Sequence, residues 1–433
     1  MKKYTTIWTG VIFLFLFPFS LTAQDPPAYA VENVTIHLAD GSVIQSGTIV
    51  WREGVIESVG ANPSIPYDAF TISGGDSLHV YPGFIDGLGY WGTPDLPDPE
   101  QVSDPGNPGY ERAGIEAQRS PEDLELDGDE ITEIMKLGVT TAAIGLKGYM
   151  LPGSADLFFL NGDHTADHLF RSSVGMEFAL EGAAGGWGNR AYPSTTMGVM
   201  ARFRQLMYDA EALKDHIEYF ASSEGSMTAP KRNRILEAMF PVMENEIPLF
   251  LKVDSPEDID RMLVLKDEFD YDVVIVSAKN AAYKAEELKE RGIPVLVSID
   301  LPEKPGWMED EDSDPSGEEE ELYRQRQAEA YRNAAHNIRN LLDHDILVGF
   351  ASTGLSAKDF HEKILALKED GDLSEEEIIQ ILTVNTASVL GAGSRIGELR
   401  SGNIANFTLF NSSYFGEEPE AKMVISNGVI HEL

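Results

Sequence analysis

The hydrophobic pattern changes twice along the chain. Residues 29–73 read as short strands and tight turns. Within them "GTIVWREGVIESVG" is a hairpin signal: a strand from Thr48, a turn at Glu53-Gly54, and a strand to Val59. The last forty residues have the same texture. Gly402 to Phe410 and Met423 to Ile430 read as strands, with a turn at Asn427-Gly428. The middle is different. From Pro248 it alternates fully apolar runs with helical periods: "PLFLKVD", then a helix opening on Ser255 as N-cap with Pro256 and Asp258 in its first turn; "DVVIVSA", then a helix closed by Gly292; "PVLVSID", then a long helix over 321–343; "ILVGFAS", then helices over 358–368 and 374–390, the latter with a Ser374/Glu377 capping box. Four such units in series imply a parallel sheet with both faces covered, in a (β/α)8 barrel or a doubly wound sheet. The stretch before Pro248 is less regular: strands at "VYPGFID", "VTTAAIG" and "ADLFFLNG", a helix at "DEITEIMKLG", a long helix over 194–220, and a Pro-, Gly- and acid-rich loop over 92–128.

Residues 1–23 read as a secretory leader. Lys2 and Lys3 precede an apolar run from Ile7 to Leu21, shorter than the roughly 20 residues that span a bilayer, and Ala23 offers a small residue for cleavage. The expectation is an exported protein, periplasmic or extracellular, with no membrane span once the leader is removed. Composition narrows the partners. The formal charge is −39, which argues against nucleic acid, and the absence of cysteine removes disulfides, thiolate metal sites and cysteine nucleophiles. The segment "EDEDSDPSGEEEE" (309–321) is a solvated loop by composition.

Three stretches, in order, resemble one family. "VTIHLADGSVIQSGTIVWREGVIESVG" followed by "VYPGFID" resembles the opening of the metal-dependent amidohydrolase superfamily. "ILTVNTASVLGAGSRIGELRSGNIANFTLF" resembles its closing segment, and "YPSTTMGVMARFRQLMYDA" is similar to secreted, imidazolonepropionase-like members. The resemblance implies a (β/α)8 TIM barrel over residues 80–392, with a small β-sandwich built from 24–79 and 393–433. It implies hydrolysis of non-peptide C–N bonds in amides or cyclic amides, with one or two zinc ions activating water. The family's ligands are a His-x-His after the first strand, a Lys or Glu after the fourth, His after the fifth and sixth, and Asp after the eighth.

This chain departs from that set. Leu88 and Tyr90 occupy the His-x-His positions, Lys252 the fifth-strand position, Ser277 and Lys279 the sixth, and Thr353 the eighth; the fourth-strand ligand is not placed. Leu cannot ligate zinc and Tyr rarely does. No cofactor is therefore expected, with zinc the expectation if the family mechanism survives. Asp86 reads as structural. Lys252, Asp254, Ser277, Lys279, Asp300, Ser352 and Thr353 fall at predicted strand ends, which converge on one mouth in a barrel. The lysines there would suit an anionic ligand such as a carboxylate, and Lys252 with Asp254 are candidate catalytic groups. His164 and His168, one helical turn apart and flanked by Asp163 and Asp167, are an alternative metal pair. Trp187, in the Gly-rich stretch 182–188, is placed beside the mouth.

Three functions stay open on these residues. The first is a non-catalytic relative that binds a small molecule or acts as partner to a catalytic homologue or a second copy of itself. The second is an active enzyme with an altered or metal-free site. The third is an acidic scaffold or cation-binding surface.

Overall fold

The computed structural model describes residues 27–75, 77–96, 106, 109–182, 191–222, 227–308, 315–416 and 418–433. Residues 1–23, expected to be a leader, together with Trp187 and residues 309–314 of the acidic segment, lie outside them. Five strands open the described chain: β1 (Tyr29–His37), β2 (Val43–Arg52), β3 (Val55–Gly60), β4 (Phe70–Ser73) and β5 (His79–Pro82). Eight more come next: β6 (Phe84–Gly89), β7 (Val139–Ile144), β8 (Ser154–Phe159), β9 (Leu169–Ala179), β10 (Leu249–Val253), β11 (Val273–Ser277), β12 (Val295–Val297) and β13 (Val348–Phe350). The chain closes with β14 (Phe407–Phe410), β15 (Ala421–Ser426) and β16 (Val429–Glu432).

The two chain ends share one sheet, in the order β16-β15-β14-β5-β1-β2-β3, with β4 also on β1. Trp51 fixes the join. It is fully buried, stacks on Tyr29, meets Phe407 edge-on at 5.3 Å, and donates from Nε1 to the Gly428 carbonyl at 3.1 Å. The turns at Glu53-Gly54 and Asn427-Gly428 have φ values of 49° and 76°, and 50° and 77°, the pair of positive angles that matches a tight hairpin to strand twist. "VYPGFID" is two strands rather than one: β5 belongs to the end sheet and β6 to the barrel.

The remaining eight strands form a barrel sheet in simple sequence order from β6 to β13. It departs from a strict (β/α)8 design at one place. β8 runs antiparallel to both β7 and β9, and the connections 145–153 and 160–168 carry no α-helix. The other neighbouring pairs are parallel. Strand residues alternate between the lumen and the outer helices. Phe250, Val274, Val276 and Leu296 fill the lumen with Leu88 and Ile85, while Leu249, Leu251, Ile275 and Val297 pack outward.

The ladder ends at β6 and β13, and a buried side chain spans the seam. Asp86 accepts from the Ser352 amide at 2.8 Å and from the Ser352 hydroxyl, from the Leu88 amide at 3.2 Å, and from Trp91 Nε1 at 2.7 Å. Gly89 has to be glycine here, since a Cβ would stand 2.5 Å from Asp86 Oδ2.

The long helix expected over 321–343 breaks at His336, into Glu318–Ala335 and Asn337–Asp343. The helix expected over 374–390 is continuous but contains a π turn at Ile381–Asn385, which brings the Thr386 hydroxyl to the Phe350 amide at 2.8 Å. Its capping box is formed in full: the Glu377 amide donates to Ser374 Oγ at 3.2 Å and the Ser374 amide to Glu377 Oε2 at 2.9 Å. Ser374→Ala is expected to lower stability by about 1 kcal/mol in urea denaturation; an unchanged midpoint would show that tertiary packing alone holds this helix start.

Candidate active site at the barrel mouth

A cavity of about 420 Å³ opens at the C-terminal ends of the parallel strands. Strand alternation decides which residues reach it. On β9, Met176 and Phe178 pack outward, so Glu177 points inward; on β10, Leu251 and Val253 pack outward, so Lys252 does the same. β9 and β10 are adjacent and parallel, so both side chains face the mouth. Tyr90 arrives from the end of β6, and Thr353 from the end of β13. The connection 145–153 forms a wall through Leu146, Tyr149 and Pro152.

Glu177 is the centre of the arrangement. It is 3% exposed, accepts from the Leu146 amide at 2.9 Å and from the Tyr90 hydroxyl at 2.8 Å, and lies where Gly145 leaves room, since a Cβ there would stand 2.3 Å from its carboxylate. Burial pushes its pKa up to about 7, against the pull of the Leu146 N–H, the Tyr90 hydroxyl and the Lys252 charge. Burial, then the charge of Glu177, holds the Tyr90 phenol well above its ordinary value. The Lys252 ammonium stands 5.2 Å from the centre of the Tyr90 ring and 3.9 Å from Glu181. Across the mouth, Lys147 is held by Asp95 at 2.8 Å and by the Thr93 carbonyl at 3.1 Å.

The structure gathers some of the sequence candidates and disperses others. Tyr90, Lys252 and Thr353 line the cavity. Leu88 is buried in the lumen just beneath it, and Ser352 is spent on Asp86. Ser277 falls on the outward parity of β11, and it and Ala278 take φ values of 70° and 56° as the chain turns away. Lys279 pairs with Asp300 at 2.8 Å, away from the lining, and Asp254 is exposed, so it is not joined to Lys252. His164 and His168 sit on a 3-10 turn, Gly162–His168, where residues four apart no longer share a face. That turn comes after the antiparallel β8, so it lies by the start of β7, where the Leu160 amide meets the Thr140 carbonyl at 2.9 Å, at the barrel end opposite Glu177. Sequence reasoning missed Glu177 altogether. The signal was a single charge set between the apolar pair Met176 and Phe178.

A sequence model of the amidohydrolase family matches residues 273–430. No curated protein matches the chain in sequence. The chain has the amidohydrolase fold throughout. It is similar to a crystal structure of an amidohydrolase from Thermotoga maritima MSB8, with a TM-score of 0.74 and 19% identity, covering 93% of this chain and 99% of that one. A prolidase crystallised with N-methylphosphonate-L-proline gives 0.55 and 14%, covering 94% and 99%. An adenosine deaminase from Xanthomonas campestris with bound zinc gives 0.51 and 12%, covering 94% and 93%.

An amidohydrolase barrel implies a metal at this mouth, and the residues present do not fit one. Glu177 on the fourth barrel strand is a carboxylate of suitable kind, yet an N–H and an O–H already occupy its oxygens. Around it stand a leucine packed in the lumen, a phenol whose proton Glu177 accepts, an ammonium and a threonine. Zinc needs three or four N, O or S donors converging at about 2.0–2.3 Å. Among the described residues no group of three His, Cys, Asp or Glu is placed to hold a metal.

Proposed function

We propose that this chain is an exported amidohydrolase-family protein that binds a small molecule at its barrel mouth without the family's metal-assisted hydrolysis. The observation that carries the reading is Lys252. It puts a fixed positive charge on the fifth strand, beside Tyr90 and Glu177, at the mouth where an amidohydrolase gathers its metal ligands. A cation there repels a divalent metal and attracts an anion. The apolar wall and the few convergent polar groups are those of a ligand pocket. Export rests on the leader. A catalytic homologue or a second copy of the chain is the partner this reading suggests.

One observation favours a second reading. A buried carboxyl with its pKa near 7, in a cavity, is what a general acid or base requires. In that case Glu177 would move the proton and Lys252 would hold the substrate, giving a metal-free hydrolase.

The test uses residues 24–433, dialysed against zinc and analysed for bound metal, then assayed on amides and cyclic amides. The expected result is no stoichiometric zinc and no zinc-dependent turnover. Stoichiometric zinc with zinc-dependent turnover overturns the proposal. Turnover without zinc, lost in both Glu177→Gln and Lys252→Met, selects the second reading.

A further inference from the structure

The charge and the lining of the cavity together narrow the class of ligand; the inference rests on the reading of the mouth as a ligand site. Three lysines stand at or near the strand ends, and two of them are satisfied. Lys147 has Asp95 at 2.8 Å, and Lys279 has Asp300 at 2.8 Å. Among the described residues Lys252 has only Glu181 as an ion-pair partner, at 3.9 Å, and Glu181 is itself exposed. The carboxylates that could compete for Lys252 are otherwise engaged. Asp95 is bound to Lys147, and Glu177 has both oxygens hydrogen-bonded in a site where burial disfavours its charge.

A second group in the lining lacks a partner. Thr353 Oγ1 is buried from solvent and meets no hydrogen-bond partner among the described residues. Its amide donates to the Leu88 carbonyl at 3.2 Å, which fixes the residue against the seam. A buried hydroxyl in that state is costly unless something docks on it. An ammonium and a hydroxyl are both donors, and a ligand carboxylate has two oxygens to accept from them. The rest of the wall is mainly apolar: Leu96, Leu146, Tyr149, Pro152 and Ala179. The volume, about 420 Å³, lies toward the small end of pockets that enclose organic ligands.

We infer that the barrel mouth takes a monocarboxylate with an apolar or aromatic body, its carboxylate held by Lys252 and Thr353 and its body against the 145–153 wall. Lys252 supplies the charge selection. Thr353 supplies the second hydrogen bond.

The experiment is calorimetric titration of residues 24–433 with three probes of one shape: 4-phenylbutyrate, 4-phenylbutylamine and 4-phenylbutanol. The expected result is saturable one-to-one binding of the carboxylate, at least tenfold tighter than either analogue. Lys252→Met, which keeps a linear side chain against Tyr90, should lose at least tenfold, Lys252→Arg should retain most of the affinity, and Thr353→Val should lose several-fold. Tighter binding of the amine would overturn the inference, because the carboxylates would then set the selectivity. Equal binding of all three, or of none, would overturn it too. None of these outcomes touches the zinc and turnover measurements on which the broader proposal stands or falls.

Discussion

Glu177→Gln is expected to make the protein more stable at pH 8 and to leave it nearly unchanged at pH 5. In the unfolded chain this carboxyl titrates near 4.5; in the folded protein it does so near 7. Between those values the folded state binds more protons than the unfolded state, so its stability falls as pH rises. The contribution is fully present below about pH 4.5 and is lost by the time the pH has passed 7. A shift of that size corresponds to about 3 kcal/mol. The glutamine keeps an acceptor for the Leu146 amide and removes the charge that burial penalises. Urea denaturation of both proteins at pH 5, 6, 7 and 8 checks this, since other titrating groups cancel in the difference. Parallel curves would mean that Glu177 stays ordinary in the fold. A mutant less stable at pH 8 would mean that Lys252 and the two hydrogen bonds outweigh burial.

Asp86→Ala is expected to cost about 4–6 kcal/mol. The substitution strands four donors at once: the buried amides of Leu88 and Ser352, the buried Ser352 hydroxyl and the half-buried Trp91 Nε1. Each unsatisfied buried donor costs roughly 1–3 kcal/mol, and because they share one acceptor the losses do not simply add. Asp86→Asn, which preserves one acceptor oxygen, should cost about half as much. The measurement is the denaturation midpoint together with hydrogen exchange at the Leu88 and Ser352 amides, which should speed up if β6 and β13 part. An alanine variant within 1 kcal/mol of the parent would mean that the lumen packing closes the barrel unaided.

Much of the architecture was legible because it rests on local rules. The turns at Glu53-Gly54 and Asn427-Gly428, the Ser255 and Ser374 caps and the parallel units from Pro248 onward each have a pattern that states its own geometry. The direction of β8 does not. Parallel and antiparallel strands can carry the same apolar run, and the sign lay in the short connection after "VTTAAIG", which has no helical period. The site was legible only in part, for a related reason. Placing residues at strand ends fixes their height on the barrel axis but not their side. Ser277 pairs in register with Val253, one residue beyond Lys252, and parity sends Lys252 into the mouth and Ser277 out of it. Glu177 lies on a strand that the irregular first half concealed, so the residue at the centre of the site was the one not named. Leu88, expected at the mouth, is buried beneath it and fills the lumen.

The reversed strand also bears on how this mouth could change over time. In a barrel of uniform βα units, each wall of the opening is tied to the helix next in sequence, and altering one disturbs the outer layer. Here the wall 145–153 returns directly into a neighbouring strand. Its anchors are main-chain bonds: the Gly145 amide to the Gly89 carbonyl, the Ala179 amide to the Met150 carbonyl, and reciprocal bonds between Leu151 and the segment 114–116. Those anchors depend on main-chain atoms, so the side chains of Leu146, Tyr149 and Pro152 are free to vary under selection. The lineage could exchange one ligand for another by rewriting this single strap, residues 145–153, while the barrel, its seam and Lys252 stay as they are.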